Sequence, residues 1–445
     1  MIRLRRVWIV LTLGLVSLAM ALVTGREMYY RLTYLLFAVI VVSAAWAWSS
    51  LRGIRLRRYT RSQRAQVGRI MEEYLAIENE SRLPKLLVMV QDESTLPGHH
   101  AGHVIHSLGG HQAFDWRVRT LCEQRGHFRL GPITTSGGDP LGLFERRRSF
   151  RQTSAIVVYP AVVPLHGLPP PRGPLPGGDT LRRRTHQITP NAAGVRDYVP
   201  GDSFARIHWP STARKDQLIV KEFELDPMSN VWIFLDMEES VQAATRGTGR
   251  NGKHGAGSDE TEKPLWRRIQ DFRLIPSTEE YGVTAAASLA NASIRERYAV
   301  GLVAYGQSRE VIQADREERQ QTRLLETLAM LRARGTMPFS QVLSAEGTRL
   351  ARGTTLILIT PSTEHAWVEA ALRLSDRGIR ILAVLLDAAS FGGAVGIQVL
   401  KGRLLAAGIP AVVVKEGVPL AEPLNTLSST GPGRNAGASG QFAAG

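Results

Sequence analysis

Two uncharged apolar segments near the N-terminus constrain this chain more than any other feature. Residues 7–24 and 32–48 contain no charged side chain, and each is close to the ~20 residues that cross ~30 Å of hydrocarbon as a helix. A cleaved signal peptide is the alternative for the first segment. Its apolar stretch is longer than a usual signal, however, and a second stretch follows after the linker 25–31. We therefore predict two transmembrane helices within residues 1–52, in contact with a lipid bilayer.

The arginines around these segments predict their orientation. Three precede the first segment (Arg3, Arg5, Arg6) and five follow the second (Arg52, Arg55, Arg57, Arg58, Arg61), whereas the linker has Arg26 and Arg31 offset by Glu27. Positive charge favours the cytoplasmic side of a membrane. Both termini and all soluble parts are therefore predicted to be cytoplasmic.

The formal net charge of +15 over 445 residues is typical of proteins that bind nucleic acid, anionic lipid or acidic partners. Once the arginines beside the membrane segments are set aside, no basic stripe with interleaved aromatic residues is left beyond the run Arg182–Arg184. We therefore disfavour a nucleic-acid binder, while that run could contact anionic headgroups. The single cysteine, Cys122, excludes an internal disulfide framework.

The pattern beyond the membrane segments changes twice. Residues 53–165 alternate short apolar and polar runs between Gly/Pro turns, which predicts a β-sandwich. Residues 166–229 combine a Pro/Gly-rich linker with a polar block, and residues 230–425 alternate strand and helix patterns. This alternation predicts a doubly wound, mostly parallel α/β sheet. The insertion 242–264 and the tail 426–445 are predicted to be disordered.

The chain lacks the common catalytic motifs. There is no Gly-x-Ser-x-Gly elbow, no Walker loop and no Gly-x-Gly-x-x-Gly after a strand. Five histidines crowd residues 99–111 without a nearby carboxylate or cysteine, so a designed zinc site there is disfavoured. These observations predict a protein that is not an enzyme.

Polar residues follow the predicted strands of the α/β segment. Asp236 and Ser240 come after its first strand, Thr336 follows a helix, and Thr360 ends a later strand. Ligands bind beyond the carboxyl ends of strands in such sheets, and Mg²⁺ prefers carboxylate, hydroxyl and water oxygens. These residues could hold Mg²⁺; alternatively, Asp236 caps the following turn and the neighbouring acids are solvated.

The polar block has two interpretations. It interleaves Arg and Asp with aromatic residues, and could form Arg–carboxylate pairs that join two domains or a recognition surface for a partner or an anion. Its members that we consider candidates for interaction are Arg196, Tyr198, Gly201, Asp202, Arg206, Trp209, Arg214, Lys221 and Glu222.

This block carries a family resemblance. The pattern Arg196-x-Tyr198-x-x-Gly201-Asp202-x-x-x-Arg206-Ile207-x-Trp209 is preceded by Arg125-Gly126, Leu130-Gly131-Pro132, Asp139-Pro140-Leu141-Gly142-Leu143-Phe144 and Val158-Tyr159-Pro160. In this order the motifs resemble those of the bacterial family called domain of unknown function 58. The C-terminal half of that family resembles a von Willebrand factor A domain.

The resemblance implies a membrane-bound adaptor that works with a MoxR-type AAA+ ATPase on a membrane or envelope complex. It also implies a metal-ion-dependent adhesion site of the form Asp-x-Ser-x-Ser with a distant Thr and Asp. Asp236, Ser240 and Thr336 match that form, whereas Glu238 replaces the middle Ser and Thr360 stands in place of the Asp. The site is thus degenerate, and serves either Mg²⁺ or a metal-independent protein surface.

Together these observations predict a non-catalytic interaction platform in the bacterial cell membrane. The alternative is an envelope-associated hydrolase or transferase centred on Asp202, Arg206 and His208. His208 occupies a position where the family commonly has an acid.

Overall fold

A computed structural model describes residues 2–4, 7–166, 192–199, 207–223, 230–245, 264–270 and 272–429. The chain divides into two compact units. The first, called the β unit, contains residues 1–161, 247–275 and 325–330. The second, called the α/β unit, contains residues 162–246, 276–324 and 331–445.

The N-terminal hairpin consists of α1 (Val7–Thr24) and α2 (Glu27–Ser50). Both helices are long and apolar enough to cross a membrane, as their sequence predicts. The helix α2 begins five residues before the predicted segment, because Glu27 lies in its first turn and pairs with Arg31 one turn later. The linker is therefore only Gly25 and Arg26. Within the hairpin, Ser17 Oγ donates to the carbonyl oxygen of Tyr29 at 3.1 Å.

The β unit contains three antiparallel or mixed sheets. Their strand orders are β1-β10-β9-β5-β6, β2-β4-β7 and β3-β11-β8. The strands are β1 (Ile2–Leu4), β2 (Ile54–Thr60), β3 (Arg64–Gln66), β4 (Ile70–Asn79), β5 (Lys85–Asp92), β6 (His103–Leu108), β7 (Ala113–Leu121), β8 (Gly126–Leu130), β9 (Ile133–Gly138), β10 (Phe144–Phe150) and β11 (Ser154–Tyr159).

Two of these sheets share one apolar core. Ile54, Leu75 and Val118 come from the sheet β2-β4-β7, and they pack with Val88 and Ile133 from the sheet of β5 and β9. The alternating burial along β4 and β5 follows from the period of two of a strand with one buried face. The alternating pattern that we used to predict strands therefore marks this core.

A buried charge cluster lies in the β unit. It consists of Arg58, Glu73, Asp92 and His99, whose side chains are almost completely buried. Arg58 donates to both carboxylate oxygens of Glu73 and, at 3.2 Å, to Asp92 Oδ1. His99 Nε2 lies 3.2 Å from Glu73 Oε2 and 3.3 Å from Asp92 Oδ2. Two cations thus face two carboxylates, so the cluster is neutral only when His99 is protonated.

The cluster changes the pKa values of its members. Burial alone would lower the pKa of His99, but hydrogen bonds to Asp92 and Glu73 outweigh burial and raise it. Burial would likewise raise the pKa values of Glu73 and Asp92, but hydrogen bonds from His99, together with Arg58, outweigh it and lower both. The geometry therefore favours the imidazolium form of His99.

We expect this cluster to make the β unit less stable as pH rises. A His whose pKa is raised in the folded state stabilises fully below its unfolded pKa, 6.5, and this stabilisation is lost as pH rises through the folded pKa. Hydrogen exchange of the β4 and β7 peptides in the full-length protein, between pH 6 and pH 9, measures this trend after correction for intrinsic exchange rates. His99→Gln should flatten the profile, and an unchanged pH dependence in that variant would contradict the assignment.

The α/β unit is built around one six-stranded sheet. Its strands and those of the preceding block are β12 (Ala192–Asp197), β13 (Ile219–Phe223), β14 (Asn230–Leu235), β15 (Ala299–Tyr305), β16 (Arg309–Asp315), β17 (Thr355–Thr360), β18 (Arg380–Leu386) and β19 (Ala411–Val414). The remaining helices of the chain are α3 (Trp209–Lys215), α4 (Leu265–Gln270, in the β unit), α5 (Thr278–Arg295), α6 (Glu318–Met330), α7 (Phe339–Gly347), α8 (His365–Asp376), α9 (Ile397–Ala406) and α10 (Ala421–Ser429).

The sheet order is β16-β15-β14-β17-β18-β19, and all neighbours are parallel except the edge strand β16. Helices cover both faces. Phe234 and Leu358 belong to a core with Phe339 of α7 and Trp367 of α8. On the opposite face Gly282 of α5 lies so close that an added Cβ would be 3.1 Å from a methyl carbon of Leu386. The predicted mostly parallel sheet is therefore confirmed.

Some predicted boundaries differ from the structure. Residues 242–245 fall in the predicted disordered insertion, yet Gln242 Nε2 donates to the carbonyl oxygen of Asp236 at 3.0 Å and Ala244 pairs with Ser277. The helix α10 runs to Ser429, past the predicted start of the disordered tail, because Leu424 and Leu427 are buried. Residues 246–263 and 430–445 lie outside the described residues.

Candidate functional site

The candidate site lies where the strand order of the parallel sheet reverses. The strand β14 has β15 on one side and β17 on the other, so the connections from β14 and β17 diverge at their carboxyl ends. Such a switch point leaves a crevice in which open α/β sheets bind ligands. Asp236 follows β14 and Thr360 ends β17. The predicted site residues therefore begin at the place where a ligand is expected.

Asp236 is buried and fully hydrogen-bonded. Thr360 Oγ1 donates to its Oδ2 at 2.6 Å, and the backbone N–H of Glu238 donates to its Oδ1 at 3.1 Å. Burial nevertheless raises the pKa of Asp236 to about 7, helped by the charges of Glu238 and Glu364 and opposed by these two donors. Burial therefore favours the protonated form of this carboxyl group more than it would for an exposed aspartate.

Glu238 holds the one carboxylate oxygen of the site that has no donor. Its side chain belongs to a residue that is 8% exposed. Ser240 Oγ donates to Oε1, whereas Oε2 is buried and makes no hydrogen bond with any described residue. A buried carboxylate oxygen without a partner is costly. This oxygen is thus an acceptor available for a cation or for a donor from a ligand.

Gly335 brings the loop of Thr336 against this carboxylate. Its backbone bridges Glu238, its N–H donates to the carbonyl oxygen of Met237 at 2.9 Å, and its own carbonyl accepts from Glu239 at 2.8 Å. A Cβ at Gly335 would lie 2.0 Å from the carbonyl oxygen of Tyr305, so only glycine fits. The neighbouring Thr336 is exposed. Asp236 and Ser240 thus contact Glu238, and Gly335 brings the loop that contains Thr336 next to it.

Thr360 and Ser362 link the site to the helix behind it. Thr360 Oγ1 accepts from the N–H of Ser362 at 2.9 Å while it donates to Asp236. The carbonyl oxygen of Ser362 accepts from Trp367 Nε1 at 3.2 Å, which anchors this loop to α8. The hydroxyl of Thr360 thus replaces the second acid of the metal-site pattern with a hydrogen-bond donor.

The donor set of the site suits a hard cation in kind. Two carboxylates and the hydroxyls of Ser240 and Thr336 are oxygen ligands that Mg²⁺ accepts, and Glu238 Oε2 is the oxygen without a donor. Within the described ranges no group of three or more His, Cys, Asp or Glu residues could hold a metal ion. Mg²⁺ at Asp236, Ser240 and Thr336 therefore stays a prediction.

An exposed apolar loop lies next to these residues. Gly393 and Gly396 approach Ala243 and Thr363: added Cβ atoms would lie 2.5 Å and 3.7 Å from their side chains. Between the two glycines Val395 is 86% exposed, and Val399 at the start of α9 is also exposed. Nothing in the sequence pattern predicted this loop, because a short Gly/Ala/Val run resembles any connection.

The structure places only part of the interaction block. Arg196 lies in β12 and Lys221 and Glu222 lie in β13, and the two strands pair antiparallel with Val195 opposite Lys221. Tyr198 continues the pairing through its N–H, which donates to the carbonyl oxygen of Leu218 at 2.8 Å. The two ends of the block thus pair with each other as two antiparallel strands.

The helix α3 connects these two strands of the block. Trp209 begins this helix with an exposed side chain, and Arg214 is exposed in its last turn. Gly201, Asp202 and Arg206 lie outside the described residues. The remaining member of the alternative catalytic centre, His208, has its Nδ1 2.7 Å from Ser211 Oγ.

One family model and one known protein match this part of the chain. The model of the family described as "Protein of unknown function DUF58" matches residues 194–255, which include most of β12, all of β13, Asp236 and Glu238. The "Uncharacterized protein YeaD" of Bacillus subtilis (strain 168) is 25% identical over 275 residues, which cover 56% of this chain and 67% of that protein. The predicted resemblance is confirmed over this region, where the chain is similar to the DUF58 family.

Solved structures show weaker likeness. The CARDB domain of the PF1109 protein from Pyrococcus furiosus has a TM-score of 0.18 at 12% identity, over 24% of this chain and 86% of that chain. Proximal thread matrix protein 1 from the mussel byssus has a TM-score of 0.30 at 10% identity, over 45% of this chain and 46% of that chain. At these TM-scores the likeness assigns no fold.

Proposed function

We propose that the protein is a membrane-anchored, non-catalytic platform that binds a protein partner at the carboxyl-terminal edge of its α/β sheet. The observation that carries this proposal is the buried Glu238 carboxylate, which has one oxygen without a donor at the switch point of the sheet. A partner that places a cation or a hydrogen-bond donor on this oxygen would relieve its desolvation cost. The hairpin would hold the platform in the bacterial cell membrane, with both units on the cytoplasmic side.

The proposal includes a von Willebrand factor A-like fold for the α/β unit. In its support, Asp236 directly follows the first strand of the sheet, the strand order reverses there, and the antiparallel strand β16 forms one edge. Asp236 and Ser240 lie in the loop after β14 and Thr336 lies in the loop after α6, and the resemblance assigns these three residues to an adhesion site. Mg²⁺ held there would bridge the platform to a carboxylate of the partner.

The loop of Val395 supplies the apolar part of this surface. The side chain of Val395 is 86% exposed to water. Its burial against a partner would contribute ~1.5–3 kcal/mol to the free energy of binding. Val399 lies in the first turn of α9. Together they form an apolar contact beside a polar centre, the composition of many protein interfaces.

The proposed partner is a MoxR-type AAA+ ATPase, and the proposed process is assembly or maintenance of a membrane or envelope complex. Both come from the family resemblance. The support on this chain is the anchored hairpin combined with a binding edge that carries polar and apolar contacts.

Purification of the intact protein from its native membrane tests this proposal. The protein is extracted in mild detergent with and without Mg²⁺, and co-purifying proteins are quantified by mass spectrometry. We expect a AAA+ ATPase with the wild type, and about tenfold less of it with Val395→Asp, since the substitution removes apolar burial and adds a charge. If Mg²⁺ bridges the partner, Asp236→Asn and removal of Mg²⁺ should each give the same loss.

Val104→Asp is the matched control, because Val104 is an exposed valine on β6 of the β unit. It should retain the ATPase at the wild-type level. Recovery of the protein without any ATPase would contradict the adaptor role. Recovery of the ATPase with every variant would place the binding surface elsewhere.

A further inference from the structure

The cytoplasm-facing end of the hairpin is fixed within the β unit. Lys85 Nζ donates to the carbonyl oxygen of Ser49 and Arg146 Nη1 donates to that of Trp48, both at 2.6 Å. These carbonyls belong to the last turn of α2, which lacks helical donors and carries the negative end of the helix dipole. On the N-terminal side of the hairpin, β1 pairs with β10 shortly before α1 begins. Both membrane entry points therefore attach to one sheet.

This junction lies at the depth of lipid headgroups. Trp46 and Trp48 are exposed in the last turns of α2, and tryptophans at such positions mark the membrane–water interface. The polar chain resumes directly after them at Arg52. The segment 48–54 and the strand β10 that contacts it therefore belong to the headgroup layer or to its immediate border.

Three arginines lie at this junction. The guanidinium of Arg52 lies 4.4 Å from the centre of the Trp48 ring and has no hydrogen bond or ion pair with a described residue. Arg146 uses one N–H for Trp48, and Arg148 uses one for the carbonyl oxygen of Ile54 at 3.1 Å. A guanidinium has five N–H donors. Each of the three thus keeps donors that no described carboxylate neutralises.

Neighbouring arginines differ in this respect. Arg55 pairs with Glu80 at 2.7 Å, Arg57 lies 3.6 Å from Glu78, and Arg147 pairs with Glu145 at 2.8 Å. Their charges are balanced within the protein. Next to the interfacial tryptophans, Arg52, Arg146 and Arg148 thus carry positive charge that no described carboxylate balances.

We propose that this junction binds the phosphate of an anionic phospholipid headgroup through Arg52, Arg146 and Arg148. Guanidinium groups bind phosphate oxygens with two parallel hydrogen bonds. The guanidinium of Arg52 is positioned by its contact with the face of the Trp48 ring. A lipid is the occupant because the tryptophans place the site in the interface. The inference depends on membrane insertion of the hairpin and is independent of the partner of the α/β unit.

Native mass spectrometry of the full-length, delipidated protein in detergent tests this proposal. Phosphatidylglycerol and phosphatidylcholine with the same acyl chains are titrated separately. We expect tighter binding of phosphatidylglycerol. Arg52→Gln and Arg148→Gln should each weaken it about fivefold, which corresponds to ~1 kcal/mol per cation near anionic lipid, and should leave phosphatidylcholine binding unchanged. Both side chains are exposed, so the fold should persist in both variants.

Arg119→Gln is the matched control. Arg119 is 45% exposed on β7 of the same unit and pairs with Glu72, so its loss changes the net charge equally at another place. This variant should bind phosphatidylglycerol like the wild type. Equal binding of the two lipids by the wild type, or equal weakening by Arg119→Gln and Arg52→Gln, would overturn the proposal, because the preference would then be absent or due to net charge alone.

Discussion

Arg58→Met is expected to destabilise the β unit by about 3–5 kcal/mol, because removal of one partner from a buried ion pair leaves the other charges uncompensated. Arg58 donates to Glu73 and Asp92, and all three side chains are almost inaccessible to water. Without the guanidinium, only His99 faces the two carboxylates. Hydrogen exchange of the β4 and β7 peptides in the full-length protein measures this change as faster opening.

Arg55→Met provides the control for this result. Arg55 lies on the same strand, β2, its side chain is 62% exposed, and it pairs with Glu80 at 2.7 Å. An exposed pair of this kind contributes ~0–1 kcal/mol, so we expect little change. Arg58→Met combined with Glu73→Gln should recover part of the loss, because one unpaired charge disappears. Equal effects of Arg55→Met and Arg58→Met would refute the role of the buried cluster.

Trp367→Ala is expected to destabilise the α/β unit by about 3–5 kcal/mol, the range for truncation of a large buried aromatic side chain. Trp367 is buried, packs edge to face on Phe339 with ring centroids 6.2 Å apart, and donates to the carbonyl oxygen of Ser362. The variant should also loosen the loop that holds Thr360 against Asp236. Urea unfolding followed by circular dichroism, with hydrogen exchange of the β17 peptide, measures both effects.

Two further variants sharpen this result. Trp367→Phe keeps most of the apolar volume and loses the indole donor, so it should cost much less than the alanine variant. Trp266→Ala removes a tryptophan that is 56% exposed on α4, and should change stability by less than ~0.5 kcal/mol. If Trp266→Ala and Trp367→Ala were equally harmful, the buried packing of α8 on the sheet would not explain the loss.

The fold follows from periodicity where a local pattern and burial agree. Strands such as Thr355–Thr360 are buried along their whole length, and the uninterrupted apolar run of the sequence predicts this. The edge strand β16 and the nine-residue helix α7 were not predicted. Edge strands are half exposed and short helices span barely two turns, so neither has a period long enough to stand out.

The candidate site was predictable in place but only partly in chemistry. Asp236 and Thr360 end neighbouring parallel strands, and sequence position alone brings such residues to one edge of a sheet. The free oxygen of Glu238 depends on which donors reach it: Ser240 serves Oε1, and no described residue serves Oε2. That outcome depends on tertiary packing, which spacing along the chain does not encode.

The buried cluster illustrates the same limit. His99 stands in a run of histidines that suggested, at most, incidental metal affinity. In the fold it meets Arg58 from β2, Glu73 from β4 and Asp92 from β5. These residues are separated by up to 41 positions, and each alone has the pattern of a solvated surface charge. Only the register of the strands brings them together.

Site-specific photo-crosslinking in the native membrane tests the central claim most directly. A photoreactive amino acid replaces Val395 at the proposed binding edge. As a control, it replaces Arg352, which is exposed and lies before the amino end of β17 in the same sheet. After irradiation of intact cells, the products are identified by mass spectrometry. The platform account predicts a cross-link from position 395 to a AAA+ ATPase and none from position 352. Equal labelling from both positions, or no ATPase at position 395, would contradict it.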